Sequence, residues 1–587
     1  MKSNTIWLGV LLVVLAVLPF VAGEFHITLM NFIGLSALVV LGLVLLTGIG
    51  GLTSFGQAAF VGLGAYSTAY LSTAYELSPW IGLVVGLILT LSVAMLLALL
   101  TLRLAGPYLP LGTIAWGLSL YYLFGNLEML GSHTGISGIP ALSIFGLEIR
   151  HKNQFYYVIW ALALLALWAT TNLLNSRTGR AIRALKGGGL MAEAMGVNTG
   201  RAKVVIFLMA AVFACVSGWL YAHMQRFISP TPFGLNLGIE YLFMAVIGGS
   251  GHLWGALLGA AVFTVLKQFL QDVLPRIFGA SGNFEMIVFG LLMVAVLHHA
   301  RGGLWPFLRR LVPHRQRVHD FAGASRLVVR EKPTKGSVIL EARDLTKRFG
   351  GLVANNKINM DVKAGEVVAL IGPNGAGKST LFNCISGVAH ATEGRVEFLG
   401  RDVSRCGSRH IAALGMSRTF QHVRMVPGMT VLENVAIGTH LRGRKGFWSA
   451  LLHAERDEER CLLAEAARQL ERVGLSTQMN ELAGNLALGQ QRIMEIARAL
   501  CSDPGLLLLD EPAAGLRHLE KQSLSRLLFK LRDEGVSVLL VEHDMEFVMG
   551  LADRVVVMDF GQKIAEGLPD QVQANPRVRE AYLGVPA

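Results

Sequence analysis

The stretch Val367-Val368-Ala369-Leu370-Ile371-Gly372-Pro373-Asn374-Gly375-Ala376-Gly377-Lys378-Ser379-Thr380 decides how the second half of this chain folds. Five consecutive apolar residues read as a strand buried on both faces, which belongs in a parallel sheet covered by helices. The residues that follow fit the spacing G-x-x-x-x-G-K-[ST] between a strand and a helix. Glycines there let backbone N–H groups approach phosphates, and the helix that starts beyond them favours negative charge. Lys378 is expected to reach the β- and γ-phosphates of ATP and Ser379 to ligate Mg²⁺. Gly372, Pro373, Asn374, Gly375, Ala376, Gly377 and Thr380 complete the cradle.

Two more apolar runs end in acidic residues. Leu506-Leu507-Leu508-Leu509 leads into Asp510-Glu511-Pro512, and Val536 to Val541 leads into Glu542-His543-Asp544. An aspartate at a strand end beside a phosphate loop can hold the Mg²⁺ shell. The adjacent Glu511 is then placed to polarise an attacking water. An acidic pair after a strand is weak evidence alone, but its position downstream of the phosphate loop strengthens it.

The first half has a different composition. Of the 587 residues 53% are hydrophobic and only 16% charged, against roughly a quarter charged in an average soluble protein. The deficit lies between Ile6 and about Leu304. Apolar runs occur there at 6–22, 29–48, 57–75, 80–101, 108–128, 155–174, 204–224, 240–271 and 284–300, and about 20 apolar residues suffice to cross a membrane. The first run is preceded by Lys2 and reads as an uncleaved anchor, since further runs follow at once. The net charge of +12 does not indicate nucleic acid. Arg177, Arg180, Arg183, Lys186, Arg201 and Lys203 cluster in one loop, which marks it as cytoplasmic.

A cytoplasmic loop at 175–203 and a cytoplasmic ATPase require an even number of crossings between them. The long run 240–271, interrupted by Gly248-Gly249-Ser250-Gly251, is therefore expected to contain a break, giving about eight to ten spans in all. Gly48-Ile49-Gly50-Gly51-Leu52-Thr53-Ser54-Phe55-Gly56-Gln57 reads as a second break. Broken helices are tolerated in a membrane where protein or water satisfies the backbone, although glycines also permit close helix packing. Residues 309–337 mix basic residues with Pro313, Pro333 and Gly336, a linker composition suited to an anionic membrane face. Cys215, Cys384, Cys406, Cys461 and Cys501 show no CxxC spacing and read as reduced packing residues.

Several segments resemble one family. Gly51 to Tyr66 and Val246 to Ala260 are similar to the hallmarks of branched-chain amino acid permeases, a likeness that extends over 30–306. Ala192-Glu193-Ala194-Met195-Gly196 resembles the coupling-helix motif of bacterial importers, which docks into a cleft of the ATPase. In the second half, Asn485-Leu486-Ala487-Leu488-Gly489-Gln490 resembles the LSGGQ signature of ABC ATPases, with Ala487 and Leu488 departing from it. The loop Ala513-Ala514-Gly515-Leu516-Arg517 also lacks the acidic residue usual there. His543 looks like the switch histidine that senses the γ-phosphate, and Gln421 like the glutamine that touches the metal and links the nucleotide to the permease. Phe349 is placed to stack on adenine. Gly561 to Gly567 and Val578 to Gly584 resemble the end of the family's ATPase, so this likeness covers about 338–585.

The resemblance implies a multidomain chain: a polytopic all-α transmembrane permease at 1–308, a linker at 309–337 and an α/β P-loop ABC ATPase at 338–587. It further implies ATP-driven import of branched-chain amino acids across the bacterial inner membrane. Two ATP sites would form between two cassettes, the signature loop of one completing the site of the other. The expected partners are a second permease, a second ABC ATPase subunit, a periplasmic substrate-binding protein and membrane lipid, with no nucleic acid. A same-family importer of urea, short amides or other amino acids is the nearest alternative. An exporter fits the coupling motif poorly, and a non-transporting regulatory ATPase fits the glycine-broken spans poorly.

Overall fold

The computed structural model describes residues 2–101, 108–144, 146–278, 285–299, 302–311 and 321–583. The linker residues 312–320 and the terminal Gly584 lie outside these. The chain forms two compact units, one comprising Met1–Leu173 and Gly200–Arg315, the other Leu174–Thr199 and Gln316–Ala587. Residues 174–199, most of the basic loop, group with the C-terminal unit.

The first unit contains helices α1 (Lys2–Val21), α2 (Glu24–Leu43), α3 (Gln57–Ala74), α4 (Pro79–Thr101), α5 (Tyr108–Asn126) and α6 (Lys152–Leu174), the last ending at the junction. Helices α7 (Arg177–Gly187) and α8 (Gly189–Ala194) belong to the second unit. The first unit resumes with α9 (Thr199–Gln225), α10 (Leu235–Gly248), α11 (Leu253–Phe278), α12 (Glu285–His299) and α13 (Trp305–Leu311). Among its described residues the strands form two small antiparallel pairs, β1 (Ile136–Ser137) with β4 (Phe227–Ile228), and β2 (Leu142–Ile144) with β3 (Leu147–Ile149).

Five helical stretches among the described residues are long and apolar enough to cross a membrane: Glu24–Ile49, Pro79–Thr101, Lys152–Leu174, Thr199–Gln225 and Leu253–Ile277. Leu12–Val21, Leu235–Gly248 and Ile287–Val296 are shorter apolar helices. Helices α3 and α5, of 18 and 19 residues, are diluted by glycine, threonine, serine and tyrosine. The long run 240–271 is divided between α10 and α11, so four apolar helices, α9 to α12, follow the basic loop.

Both glycine-rich stretches interrupt helices, and both also bring backbones close. Helix α2 continues as a π-turn over Val44–Ile49 before the chain leaves helical geometry. A Cβ on Gly48 would overlap the Ser250 carbonyl oxygen, so the two breaks touch each other. Elsewhere a Cβ on Gly64 would meet the Cys215 carbonyl, and one on Gly218 the Val61 carbonyl. Helices α3 and α9 therefore cross with no side chain between them, the small-residue packing of membrane helices.

The second unit is built on a six-stranded sheet. Its strands are β7 (Val367–Ile371), β10 (Met416–Arg418), β11 (Leu506–Asp510), β12 (Ser537–Val541), β13 (Arg554–Asp559) and β14 (Gln562–Gly567), in the order β10-β11-β12-β7-β13-β14. All neighbours are parallel except β13 and β14. A four-stranded antiparallel sheet orders β6 (Leu352–Lys363), β5 (Val338–Phe349), β8 (Glu393–Phe398) and β9 (Arg401–Asp402). The central strands are buried on both faces. Val368, Leu370, Leu508 and Leu539 pack towards β5 and β8 residues, while Val367, Ala369, Leu507 and Leu540 pack towards later helices. This explains their unbroken apolar runs. Within the linker, Arg330 N–H donates to Asp503 Oδ2, and Lys332 pairs with Asp503 Oδ1 at 2.7 Å. Linker residues Arg330 and Lys332 are thus tied to Asp503 of the second unit rather than free.

Gly218→Ala is expected to destabilise the first unit by roughly 1–3 kcal/mol through overpacking. Gly251→Ala, whose added carbon meets nothing within 4 Å, should leave it unchanged. Thermal unfolding of the detergent-solubilised chain, followed by tryptophan fluorescence, measures both.

Candidate active site

Strand β7 runs into the phosphate loop, which is followed by α14 (Lys378–Ile385). Gly372, Gly375 and Gly377 have φ of 151°, 85° and 93°, a backbone open to glycine at little cost. A Cβ on Gly377 would overlap the Ala354 carbonyl, whereas one on Gly375 would meet nothing within 4 Å. The loop is therefore packed on one side and open on the other, where Asn374 and Gly375 are exposed. Pro373, Gly377 and Thr380 are half-buried, Ala376 is buried and Ser379 is exposed. Lys378 Nζ donates to the carbonyls of Gly372 at 2.8 Å and Pro373 at 2.9 Å. Burial lowers its pKa from the ordinary lysine value, while Glu511 and Asp510 oppose that shift.

The acidic pair ends β11, two strands away from β7 in the sheet. Asp510 is buried, and burial raises its pKa while the guanidinium of Arg418 holds it down. Arg418 Nη2 donates to Asp510 Oδ2 at 3.2 Å, and its Nη1 donates to Asn383 Oδ1 and Ser386 Oγ, both 2.7 Å. The other oxygen, Asp510 Oδ1, is buried without a hydrogen-bond partner. Glu511 stands in the left-handed region at φ 50°. That conformation costs a non-glycine residue of order 1–3 kcal/mol and occurs preferentially at working sites. Gln421 Nε2 donates to Glu511 Oε1 at 3.1 Å, so these two expected site residues meet directly.

His543 follows β12 with an exposed side chain, its Nδ1 lying 3.8 Å from Glu542 Oε2. Glu542 is buried and accepts from the Ala513 N–H at 2.6 Å and the His543 N–H at 3.1 Å. It thereby ties the loop after Glu511 to the strand that carries His543. Phe349 is 54% exposed at the end of β5, with Lys347 Nζ 4.9 Å from its ring centre.

The signature residues open the helix Leu488–Leu500. The Ala487 N–H is capped by Gln490 Oε1 at 3.2 Å, and Gln491 Nε2 donates to the Leu486 carbonyl at 2.8 Å. Leu488, in the place of a glycine, is exposed, and a Cβ on Gly489 would lie 3.2 Å from Glu520 Oε2. Among the described residues no hydrogen bond joins 486–490 to the phosphate loop of the same chain. Arg517, in the place of the usual acid, starts the next helix with its N–H donated to Glu520 Oε2 at 2.7 Å.

Three supporting residues escaped the sequence reading. Arg418 lies three residues before Gln421 and belongs to no motif of its own. Glu495 and Arg498, on the signature helix, form a buried pair at 2.8 Å. Glu495 Oε1 accepts from the Arg424 N–H at 2.9 Å, and Arg498 Nη1 donates to the Arg424 carbonyl at 2.7 Å. An E-x-x-R step on a helix is the one signal that could have found them. Behind Gln421, the residues Phe420, Val426 and Met429 form a single apolar cluster with Met191, Ala192 and Met195 of the basic loop.

Residues 26–297 match the family described as branched-chain amino acid transport system / permease component, 355–514 the ABC transporter family, and 562–587 the branched-chain amino acid ATP-binding cassette transporter family. BraF of Pseudomonas aeruginosa, a high-affinity branched-chain amino acid transport ATP-binding protein, is 45% identical over 249 residues, 42% of this chain and 98% of its own length. LivG of Escherichia coli, described in the same words, is 43% identical over the same shares. The chain belongs to the branched-chain amino acid ABC transporter family. A probable member named LivG from Methanocaldococcus jannaschii is 35% identical over 42% of this chain and 97% of its own length. Among solved structures, a nucleotide-free ATP-binding cassette from an ABC transporter is 34% identical, with 42% of this chain and all of that one covered, at a TM-score of 0.38. This family member thus joins a permease and an ABC-type ATPase in one polypeptide.

Glu511→Gln is expected to keep ATP binding and lose hydrolysis by about 100-fold or more, the scale of a lost general base. Nucleotide binding by filtration and phosphate release in the same preparation check it, and unchanged turnover would remove Glu511 from that role.

Proposed function

We propose that the chain is half of an importer that uses ATP to carry branched-chain amino acids across the bacterial inner membrane. Residues 1–308 form its permease with about eight to ten spans, 309–337 the linker and 338–587 the ATPase. The observation that carries this reading is the apolar cluster behind Gln421, which puts permease-loop residues against the segment that touches Glu511. A nucleotide-dependent change at that segment therefore has a packed route out of the site.

ATP lies along the phosphate loop, with its phosphates on the open side of Gly375, Lys378 as counter-charge and Phe349 against the base. The donor set of Ser379, Gln421 and Asp510 fits a hard, oxygen-ligated cation. The unpartnered Asp510 Oδ1 supports this, because a buried carboxylate oxygen left without a ligand is costly. Mg²⁺, when bound, neutralises charge on the phosphates. Glu511 orients and deprotonates the attacking water, and His543 reaches towards the γ-phosphate from the end of its strand. Residues 486–490 of this chain complete the site of an opposing cassette. The partners are a second permease, a second ABC ATPase and a periplasmic substrate-binding protein. In this family the pairs usually differ, which favours a heteromer.

The chain reconstituted with its partners in proteoliposomes is expected to take up leucine and valine in preference to urea and short amides. Uptake of urea at the higher rate would replace the proposed solute. Lys378→Ala should abolish nucleotide binding and uptake together, and normal ATP binding by that variant would count against the loop assignment.

A further inference from the structure

The importer motif led us to expect Glu193 to dock the basic loop onto the ATPase. The structure places it otherwise: Glu193 Oε1 accepts from the Thr199 hydroxyl of its own segment at 2.5 Å. The apolar residues around it, Met191, Ala192 and Met195, pack on Phe420, Val426 and Met429, and the polar part of the docking falls to α7, which begins with Ser176 capping the Gly179 N–H at 3.1 Å. Its three arginines, at positions 177, 180 and 183, recur at a spacing that keeps them near one face. Each holds a different part of the ATPase. Arg177 Nη1 donates to the His440 carbonyl at 2.6 Å and its Nη2 to the Lys445 carbonyl at 2.5 Å. Arg180, only 3% exposed, makes a two-pronged pair with Glu459 on the helix Arg456–Arg472. Arg183 pairs with Glu433, on the helix Val431–Ala436, at 3.2 Å.

The surroundings are shaped for this grip. A Cβ on Gly443 would come within 2.6 Å of both Arg177 Cδ and Glu458 Oε1, and Glu458 in turn accepts the N–H groups of Arg444 and Lys445. Burial and the flanking Arg177, Arg180 and Arg409 push the His440 imidazole down to about 3. It is neutral near pH 7 and adds no positive charge beside the arginines. Glu455, buried next to this cluster, completes an acidic wall with Glu458 and Glu459.

We infer that the arginine face of α7, through the buried Arg180–Glu459 pair, is the positioning element that makes the coupling segment move with the ATPase, and that Glu193 has no part in that grip. The inference rests on the reading of the chain as an ATP-driven importer. Removing one partner of a buried, doubly hydrogen-bonded pair strands the other charge, so the segment should detach while the nucleotide site keeps its own contacts.

The test uses the full chain with Arg180→Glu, Glu459→Arg, the double exchange of both, and Glu193→Gln. Hydrogen exchange of amides 177–197 is read in each. The single reversals should raise exchange and cut solute moved per ATP by about tenfold, within the range of coupling energies. The double exchange should restore both, and Glu193→Gln should change neither by more than about twofold. Unchanged exchange in the single reversals, or failure of the double exchange to restore it in a protein that melts at the wild-type temperature, overturns the inference. If the wild type moves no branched-chain amino acid, the proposed function fails. The grip is still judged by the exchange data alone.

Discussion

The site depends on the hydrogen-bonded register of three adjacent parallel strands. Leu370 pairs with Val541, and Asp510 with the same Val541 from the other side. The ends of β7, β11 and β12 therefore stop level with one another. From that line emerge the phosphate loop, the pair Asp510–Glu511 and the step Glu542-His543. A slip of one residue in either ladder would move every side chain to the opposite, differently packed buried face and separate the acids from the loop. Because both faces of these strands are buried, such a slip is energetically barred, and the chemistry inherits its precision from the core.

From that edge a continuous set of contacts leads outward. Arg418 holds Asp510, and two residues later in the chain Phe420 gives its carbonyl to Arg492 at 3.2 Å. Arg424 is gripped at both its N–H and its carbonyl by Glu495 and Arg498 of the signature helix. Asn434 then fastens the next turn, donating to the Val426 carbonyl at 3.0 Å and accepting its N–H at 2.9 Å. The segment 418–430 is thus fixed to Asp510 at one end and to the signature helix in its middle. Its outer surface is the cluster with Met191, Ala192 and Met195. Gln421, which hydrogen-bonds Glu511 at 3.1 Å, belongs to this same segment, so Glu511 and that cluster are joined by one stretch of chain.

What the sequence revealed and what it concealed follow from range. The phosphate loop, the acidic strand ends and the helix breaks are local patterns, each written in fewer than about 15 consecutive residues, and they appear where periodicity and glycine placement put them. The role of α7 was hidden because Arg180 meets Glu459 and Arg183 meets Glu433 across more than 200 positions. Read alone, those arginines signify only a cytoplasmic loop. The loop motif drew attention to its one acid, although the apolar neighbours of Glu193 and the basic face before it make the contacts. The allotment of 174–199 to the ATPase unit has the same cause, since the burial of Met191 and Met195 is supplied by residues far along the chain.

The departures in the signature loop alter its side chains and leave its backbone intact. Serine at 487 would have offered a hydroxyl to a phosphate, and alanine offers none. The helix start nevertheless persists, because Gln490 satisfies the Ala487 N–H and Gln491 the Leu486 carbonyl. The field of an N-terminus depends on aligned peptide groups rather than on the capping side chain, so the helix from Leu488 still presents partial positive charge. Leu488 adds an exposed apolar side chain where glycine would leave backbone open, and Arg517 adds a cation where an acid is usual. In the proposed pairing of cassettes, a site completed by this loop would have one hydroxyl fewer and one cation more than one completed by the consensus sequence.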